Sequence, residues 1–311
     1  MDVKDQKLLD SIDARTKLAG SNKMEILLFS LGTNEIFGIN VFKVREVSQT
    51  PHVTKTPYMP HGVEGVISLR GNIIPVIALA KFINIEDAPE NSDQTMIVTE
   101  FSRHTQGFLV HDVDRIIRVD WDKVKPPESM LAGSDGLITA ITELPDGRLV
   151  SILDVEQILA NAIGEEPIPE LPQVETEVDT SIFFVDDSAV ARREIVMVLD
   201  KLGIKYQQAN NGLEAWEKLQ ALANRSNLDS APLHNQIKLI LVDAEMPEMD
   251  GYVLTKNIKS DRRFDGIPVV MHSSLSSEAN KAMGQRVGVD AYVAKFDPLV
   301  LADTLATMLQ R

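Results

Sequence analysis

An acidic, proline-rich segment divides the 311-residue chain into two halves whose hydrophobic patterns differ. Residues 161–180 contain three prolines and six acidic residues, but no basic residue. A segment of this kind buries too little apolar surface to offset the entropy lost on ordering, and its prolines favour an extended backbone. We therefore predict an interdomain linker at 161–180. The alternative is an acidic surface loop within one large domain.

Charge and composition exclude several classes of protein. The formal net charge is −15, and the chain has no cysteine. Nucleic-acid binding requires an excess of Lys and Arg, so we expect no nucleic-acid partner. The lack of cysteine excludes disulfide scaffolds, iron–sulfur clusters and thiol nucleophiles. With neither a secretory signal nor an apolar run of roughly 18 residues, we expect a cytoplasmic protein that makes no direct membrane contact.

The first half, residues 22–160, has the pattern of an all-β domain. Short β-branched and aromatic runs alternate with turn residues, as in a barrel or sandwich. Before it, residues 1–21 carry apolar residues at a helical spacing, which predicts an amphipathic helix or, alternatively, a helix that docks on a partner. The predicted strands are Met24–Leu31, Ile36–Phe42, Gly65–Leu69, Ile73–Leu79, Met96–Phe101, Gly107–Val110 and Leu149–Leu153.

The second half, residues 181–311, has the pattern of a parallel sheet covered by helices. Apolar runs of four or five residues alternate with helical patterns, which is typical of successive βα units. The runs lie at 181–185, 239–242, 267–271 and 291–294. Residues 224–236 are predicted to form an inserted surface loop.

Acidic residues follow two of these predicted strands. Asp186 and Asp187 come after the first run, and Asp243 after the second. The carboxyl ends of parallel strands meet at one edge of a sheet, so the three carboxylates should lie together. Their mutual repulsion would raise a pKa unless a hard cation that prefers oxygen ligands neutralised them. The sequence therefore predicts a Mg²⁺ site at this edge.

The other two strands add a hydroxyl and an ammonium group to the same edge. Ser273 follows the third run and Lys295 follows the fourth. Together with the acids they predict phosphoryl transfer, in which an aspartate attacks, Mg²⁺ and the lysine neutralise phosphoryl oxygens, and the hydroxyl binds the product. His272, next to the hydroxyl, is interpreted as a packing residue rather than a proton-transfer group.

The motifs of this half resemble those of response-regulator receiver domains. They are Phe183-Phe184-Val185-Asp186-Asp187-Ser188, the run from Leu239 to Gly251 that reads LILVDAEMPEMDG, and Lys295 after its strand. The resemblance covers residues 181–311 and implies a flavodoxin-like fold with a five-stranded parallel sheet. Phe296 stands where receivers usually have a proline.

The resemblance also implies roles for individual residues. Asp243 would accept a phosphoryl group from a histidine kinase, and Mg²⁺ would be held by Asp186, Asp187, Asp243 and the backbone carbonyl of Glu245. Lys295 would assist the transfer, while Ser273 and Tyr292 occupy the family's hydroxyl and aromatic switch positions.

The β-rich half resembles the CheW-like coupling domain of bacterial chemotaxis. The resemblance rests on Phe37-Gly38-Ile39, on Val44-Arg45-Glu46-Val47, and on the stretch from Gly65 to Leu79, which contains the turn Leu69-Arg70-Gly71-Asn72. It implies two SH3-like β-barrels that bind chemoreceptor cytoplasmic tips and the chemotaxis histidine kinase. Arg70 and Glu46 are the polar residues expected nearest those contacts. The alternative for Arg70 is a salt bridge inside the barrel.

A coupling domain followed by a receiver resembles the CheV family of chemotaxis coupling proteins. The resemblance implies a cytoplasmic adaptor, recruited to membrane receptor arrays, that links chemoreceptors to the kinase and is regulated by phosphorylation of Asp243. Catalysis would be confined to its own phosphorylation and dephosphorylation. The alternatives are a phosphate sink that drains the kinase and a phosphohydrolase with Glu245 as the general acid. A transcription regulator is disfavoured by the negative charge and by the lack of a helix-turn-helix pattern after the receiver.

Overall fold

The computed structural model describes most of both halves of the chain. The predicted N-terminal helix at 1–21 and Phe296 lie outside the described residues, as do parts of the predicted linker. The described residues fall into two compact units, which run from 23 to 164 and from 168 to 310. They are residues 23–83, 85, 95–101, 104–125, 127, 137–164, 168–171, 181–228, 233–273, 278–295 and 297–310.

The first unit contains two five-stranded sheets. The strand orders are β8-β1-β2-β10-β9 and β3-β6-β7-β5-β4. All strand pairs are antiparallel except β2 with β10 and β5 with β7. The elements are β1 (Lys23–Ser30), β2 (Ile36–Asn40), β3 (Val44–Gln49), β4 (Val63–Leu69), β5 (Asn72–Ala78), α1 (Leu79–Phe82), β6 (Thr95–Phe101), β7 (His104–Val110), β8 (Asp112–Asp120), β9 (Ile138–Glu143), β10 (Leu149–Leu153) and α2 (Val155–Ile163).

Burial on both faces explains the continuous apolar runs of this unit. In β1, Ile26 and Leu28 belong to a core formed within the first sheet, whereas Leu27 and Phe29 belong to a core shared with the second sheet and α2. The second sheet has its own core in the same way. Successive strand side chains point to opposite faces, so a strand with two buried faces needs apolar residues at every position. Each buried Leu or Ile contributes about 1.5–3 kcal/mol.

Helix α2 ends the first unit. The side chain of Asp154 accepts hydrogen bonds from the backbone N–H groups of Glu156 and Gln157, at 3.1 and 3.0 Å, and so caps the helix. Ile158 and Leu159 pack into the core that both sheets share. The helix continues to Ile163, three residues into the segment predicted as a linker.

The second unit is a parallel sheet with helices on both faces. Its strand order is β12-β11-β13-β14-β15, the doubly wound order of flavodoxin-like folds. The elements are β11 (Ser181–Val185), α3 (Ala189–Leu202), β12 (Lys205–Ala209), α4 (Gly212–Leu228), β13 (Leu239–Asp243), α5 (Gly251–Ser260), β14 (Val269–Ser273), α6 (Glu278–Val287), β15 (Ala291–Ala294) and α7 (Pro298–Leu309).

The two central strands of this sheet send alternate side chains to two separate cores. On β11, Phe183 and Val185 pack towards α4 and α5, while Ile182 and Phe184 pack towards α3 and α7. Strand β13 is buried along its whole length in the same way. The predicted fold class, an all-β coupling region followed by a five-stranded parallel receiver sheet, is therefore confirmed.

The structure differs from the sequence-based expectation at the predicted surface loop 224–236. Helix α4 continues to Leu228, and Leu233 is buried in the core beneath it. The prediction of a loop was therefore wrong for residues 224–228, because an amphipathic helix with a well-packed face overrides the polar composition of its last turn.

Part of the predicted linker, residues 168–171, belongs to the second unit. Ile168 and Leu171 pack against the core between the sheet and helices α3 and α7. The Lys201 ammonium donates to the backbone carbonyls of Ile168 and Pro169, at 2.9 and 3.2 Å. Among the residues that the structure describes, no helix is long and apolar enough to cross a membrane.

Gly251 lets helix α5 begin directly beside the end of β13. Its N–H donates to the carbonyl oxygen of Ala244 at 3.0 Å, and a Cβ at this position would lie 1.9 Å from the carbonyl oxygen of Asp243. The obstacle is backbone, which cannot move aside as a side chain can. Gly266 is different, because its φ is +84° but a Cβ there would meet nothing within 4 Å.

We predict that Gly251→Ala destabilises the second unit by about 3 kcal/mol or more, since the clash forces apart the backbone that carries Asp243. The matched control Gly266→Ala has only a backbone penalty of about 1–2 kcal/mol. Urea unfolding of the full chain, followed by Trp216 fluorescence in a Trp121→Phe background, measures both. Equal losses in the two variants would contradict the close approach described here.

Candidate functional site

Three carboxylates meet at the carboxyl ends of β11 and β13. The two strands pair in parallel, with Val185 opposite Val242, so that Asp186 and Asp243 follow at neighbouring strand ends. One carboxylate oxygen from each of Asp186, Asp187 and Asp243 lies within 4.8 Å of the other two. Asp186 and Asp243 are almost fully buried, while Asp187 is partly exposed.

Lys295 reaches into this group from the end of β15. Its Nζ atom donates to Asp186 Oδ1 at 3.0 Å and lies 2.9 Å from Asp186 Oδ2 and 3.0 Å from Asp243 Oδ2. The Lys295 side chain is only 4% exposed, so water screens these charges weakly. One ammonium group thus contacts two buried carboxylates, and the partly exposed carboxylate of Asp187 lies close to both of them.

Backbone N–H groups fix the direction of the two buried carboxylates. Ser188 N–H donates to Asp186 Oδ1 at 3.0 Å, and Glu245 N–H donates to Asp243 Oδ1 at 3.3 Å. Ser188 also caps α3, because its side-chain oxygen accepts from the N–H of Ala191 at 3.3 Å. The geometry of the site is therefore set by the first turns after the strands.

The two buried aspartates differ in their protonation. Burial raises the pKa of Asp243 well above its usual range; Lys295 opposes this effect, and the neighbouring carboxylates of Asp186, Asp187 and Glu245 add to it. Burial acts in the same direction on Asp186, but Lys295 and His272 outweigh it and lower the pKa of Asp186 to about 2. Without a bound cation, Asp186 is therefore ionised, while the protonated, neutral form of Asp243 is favoured.

His272 lies against the same group from β14. It pairs in register with Asp243, and its Nδ1 atom is 3.7 Å from Asp186 Oδ2. The imidazole is buried, and this distance is longer than a hydrogen bond. His272 thus packs beside the acidic group as well as within the sheet.

Ser273 and Tyr292, the two predicted switch residues, lie close to Tyr252 and Glu245. Ser273 is the fully buried last residue of β14, and its hydroxyl lies beside that of Tyr292 on β15. Burial raises the pKa of Tyr292 to about 12, while the Ser273 hydroxyl opposes the shift. Burial also raises the pKa of Tyr252, which packs with Tyr292 against Ala244 and Met271. Both tyrosines are therefore neutral.

The donor set fits a hard divalent cation. The Oδ2 atoms of Asp186 and Asp243 are buried and make no hydrogen bond with the described residues, although both face Lys295. Two like charges 4 Å apart repel by about 4 kcal/mol at an effective dielectric constant of 20. Carboxylate and carbonyl oxygens are the ligands that Mg²⁺ prefers. The structure thus has the kind of acidic group at which receiver domains bind Mg²⁺.

In the first unit, the two predicted partner residues contact each other. Arg70 and Gly71 occupy the centre of the β4–β5 hairpin turn with φ of 51° and 88°, as a two-residue type I′ turn requires. The Arg70 guanidinium donates to the carboxylate of Glu46 on β3, and the two side chains are 65% and 14% exposed. The pair lies at the surface, so most of the arginine stays accessible.

Comparison with known proteins identifies both halves. Residues 25–162 match the CheW-like domain family, and residues 182–306 match the response regulator receiver domain family. The chain is 33% identical over 280 residues to the chemotaxis protein CheV3 of Helicobacter pylori (strain ATCC 700392 / 26695), which covers 89% of each chain. It is 30% identical over 313 residues to CheV1 of the same strain, covering 93% of this chain and 94% of CheV1. The chain belongs to the CheV family.

Membership of the CheV family confirms the resemblance noted in the sequence. The first half alone is also 29% identical over 148 residues to the chemotaxis protein CheW of Klebsiella aerogenes, a match that covers 47% of this chain and 88% of CheW. With a CheW-like domain followed by a receiver domain, this CheV protein is a chemotaxis coupling adaptor with a phosphorylatable receiver. A phosphate sink is not favoured, and a non-enzymatic adaptor fits both domains.

Sequence reasoning missed one residue of the CheV receiver site. Arg192 on α3 donates from Nη1 to the carbonyl oxygens of Asp186 and Asp187, at 2.8 and 2.9 Å. Its position four residues after the helix cap Ser188 was the available signal. Side chains in a helix point back towards its N-terminus, so a long donor one turn inside α3 reaches the loop before it.

We predict that Asp243→Asn makes the metal-free CheV receiver more stable than the wild type. A carboxylate whose pKa is raised on folding contributes stability below its unfolded pKa and loses it as the pH rises through the folded pKa. The amide avoids this loss, and we expect a gain of about 1–3 kcal/mol at pH 8 that shrinks towards pH 4. Urea unfolding in EDTA across this pH range is the measurement.

The matched control for this prediction is Asp200→Asn, which changes an exposed aspartate on α3. It should show no gain that depends on pH. An Asp243→Asn variant that is no more stable than the wild type at pH 8 would show that ionisation of Asp243 does not destabilise the folded state.

Proposed function

We propose that Asp243 is the phosphoacceptor of a switch that adjusts coupling between chemoreceptors and the chemotaxis histidine kinase. The observation that carries the proposal is the group of Asp186, Asp187 and Asp243, whose oxygens lie within 4.8 Å of one another with Lys295 bridging two of them. An acidic nucleophile, an ammonium group and a place for a cation are the parts that phosphoryl transfer needs.

In the proposed reaction, a carboxylate oxygen of Asp243 attacks the phosphorus of a phosphohistidine on the kinase. A new O–P bond forms while the N–P bond breaks, and the imidazole nitrogen leaves with the bonding electron pair and takes up a proton. Lys295, 3.0 Å from Asp243 Oδ2, is placed to neutralise the incoming phosphoryl oxygens. The nucleophile must be ionised, although burial and neighbouring acids raise its pKa.

The residues proposed to hold Mg²⁺ are the carboxylates of Asp186, Asp187 and Asp243 and the backbone carbonyl of Glu245. When bound, the ion would neutralise the carboxylates and the transferred phosphoryl group. Ser188 and Glu245 supply the N–H groups that keep the two buried carboxylates oriented.

Ser273 and Tyr292 are proposed to transmit the phosphorylation state. Ser273 ends β14 next to the acidic group, and its hydroxyl lies beside that of Tyr292. A phosphoryl group on Asp243 would offer the Ser273 hydroxyl a charged acceptor, and charge-assisted hydrogen bonds are about twice as strong as neutral ones. Movement of Ser273 would release the contact with Tyr292 and change the surface around β15.

The proposed partners of the first unit are chemoreceptor cytoplasmic tips and the chemotaxis histidine kinase, which would place the protein at receptor arrays. Arg70 supports this proposal because its side chain is 65% exposed although it pairs with Glu46. Glu46 holds the arginine in one direction, and an oriented guanidinium suits paired contacts with a carboxylate.

We predict that Asp243→Asn abolishes phosphoryl labelling. Acetyl phosphate with Mg²⁺ should add a single phosphoryl group to the wild-type chain and none to this variant, since an amide is not a nucleophile here. Intact mass spectrometry gives the answer. The control Asp200→Asn should be labelled like the wild type, and labelling of Asp243→Asn would refute the acceptor assignment.

We predict that Arg70→Ala weakens binding to a purified receptor tip or kinase regulatory domain by about tenfold or more, the cost typical of a central arginine. Biolayer interferometry measures the change. Arg45→Ala is the matched control, because it breaks the exposed pair of Arg45 with Glu100 on the same sheet.

A charge swap separates recognition from structural support. The double variant Arg70→Glu with Glu46→Arg keeps an ion pair at the hairpin but reverses its direction. If Arg70 contacts a partner, the double variant still binds that partner weakly. Binding restored to the wild-type level would show that the ion pair only supports the fold.

A further inference from the structure

Arg192 connects helix α3 to the backbone that carries the first two acidic residues. Its Nη1 atom donates to the carbonyl oxygen of Asp186 at 2.8 Å and to that of Asp187 at 2.9 Å. The two carbonyls belong to the loop between β11 and α3, outside the regular hydrogen-bond pattern of the sheet and of the helix. A single guanidinium thus joins two consecutive peptide units.

The segment between β11 and α3 is held by hydrogen bonds to both its side chains and its backbone. Its own N–H donates to the carbonyl oxygen of Ser188 at 3.0 Å, while the Ser188 N–H donates to Asp186 Oδ1 at 3.0 Å. The carboxylate of Asp186 is held by Ser188, and the carbonyl of the same residue is held by Arg192. Rotation of this peptide would break one bond or the other, so the two contacts together fix the direction of the Asp186 side chain.

The charge of Arg192 works against the site that its contacts support. A guanidinium next to three carboxylates lowers their attraction for a divalent cation. Any favourable effect of Arg192 on cation binding must therefore come from orientation rather than from charge. The two effects have opposite signs, which makes them separable by experiment.

We propose that Arg192 is a positioning residue for the cation site, which it serves by fixing the peptide units of Asp186 and Asp187 so that their carboxylates face Asp243. The inference rests on the proposed Mg²⁺ site. Groups that orient metal ligands without touching the metal typically contribute 10–100-fold to affinity. Arg192 acts through the carbonyl oxygens and does not itself touch the ion or the phosphoryl group.

The test is Mg²⁺ affinity, measured by isothermal titration calorimetry on the full chain at constant ionic strength. Positioning predicts that Arg192→Gln binds Mg²⁺ about tenfold more weakly than the wild type. It also predicts that Arg192→Lys, which keeps an ammonium donor and the charge, lies between the two. A pure charge effect predicts instead that Arg192→Gln binds most tightly and that Arg192→Lys equals the wild type, and this order would overturn the proposal.

Arg193→Gln is the matched control. Arg193 is the next residue on the same helix, is exposed, and loses the same charge when changed. It should bind Mg²⁺ as the wild type does or slightly more tightly. An equal weakening in Arg192→Gln and Arg193→Gln would contradict the proposal.

Metal-free thermal unfolding separates positioning from folding. A lower melting temperature with unchanged Mg²⁺ affinity in Arg192→Gln would assign Arg192 a structural role only and overturn the proposal. If Arg192→Gln fails to fold, the Mg²⁺ affinity of Arg192→Lys is compared with that of the wild type. Positioning predicts that Arg192→Lys binds Mg²⁺ more weakly, whereas a pure charge effect predicts no difference in affinity. A wild-type chain that binds no Mg²⁺ would refute the proposed metal site itself, which is a different outcome from equal affinities.

Discussion

Repulsion among buried carboxylates is the interaction on which the receiver site depends. Lys295 lies within 3.0 Å of carboxylate oxygens of Asp186 and Asp243, and its single positive charge cannot neutralise these two groups together with Asp187. The lysine and His272 keep Asp186 ionised, whereas burial, together with the neighbouring carboxylates, raises the pKa of Asp243. A divalent cation would offset the repulsion, and a phosphoryl group would then bring new negative charge to the same place. The site is thus poised to respond to both ligands.

Strand ends, helix caps and one close backbone approach hold these charged groups together. Strand ends deliver Asp186 and Asp243, helix caps fix Ser188 and Asp250 at 3.3 and 2.7 Å from their N–H donors, and Gly251 allows α5 to begin against the backbone of Asp243. The apolar residues of β11 and β13 pack in the two cores on either side of the sheet. Their close packing prevents the strand ends that carry Asp186 and Asp243 from shifting. In the first unit, a tight turn similarly directs Arg70 towards Glu46.

The sequence located the strands that form continuous apolar runs, but strands β8 and β9 of the first unit were not among the predicted strands. Apolar runs that end in acids predicted the central strands and the meeting of the three carboxylates. Strand β12 was not located, because Lys205–Ala209 is a mostly exposed edge strand with polar residues that lacks a hydrophobic run. The pairing of Arg70 with Glu46 spans 24 residues and depends on how the second sheet closes, which no local pattern encodes. The position of Arg192 one turn into α3 was the only local signal for its contacts, because the carbonyl groups that it binds have no pattern of their own in the sequence.

The central claim is that the acidic group of the receiver holds one divalent cation beside Asp243. The most direct measurement is an anomalous difference map from crystals of the full chain grown with Mn²⁺, which takes oxygen ligands as Mg²⁺ does. The account predicts a single peak contacted by the carboxylates of the acidic group and the carbonyl oxygen of Glu245. A pocket without a peak, in which Asp186 and Asp243 contact only Lys295, would contradict it.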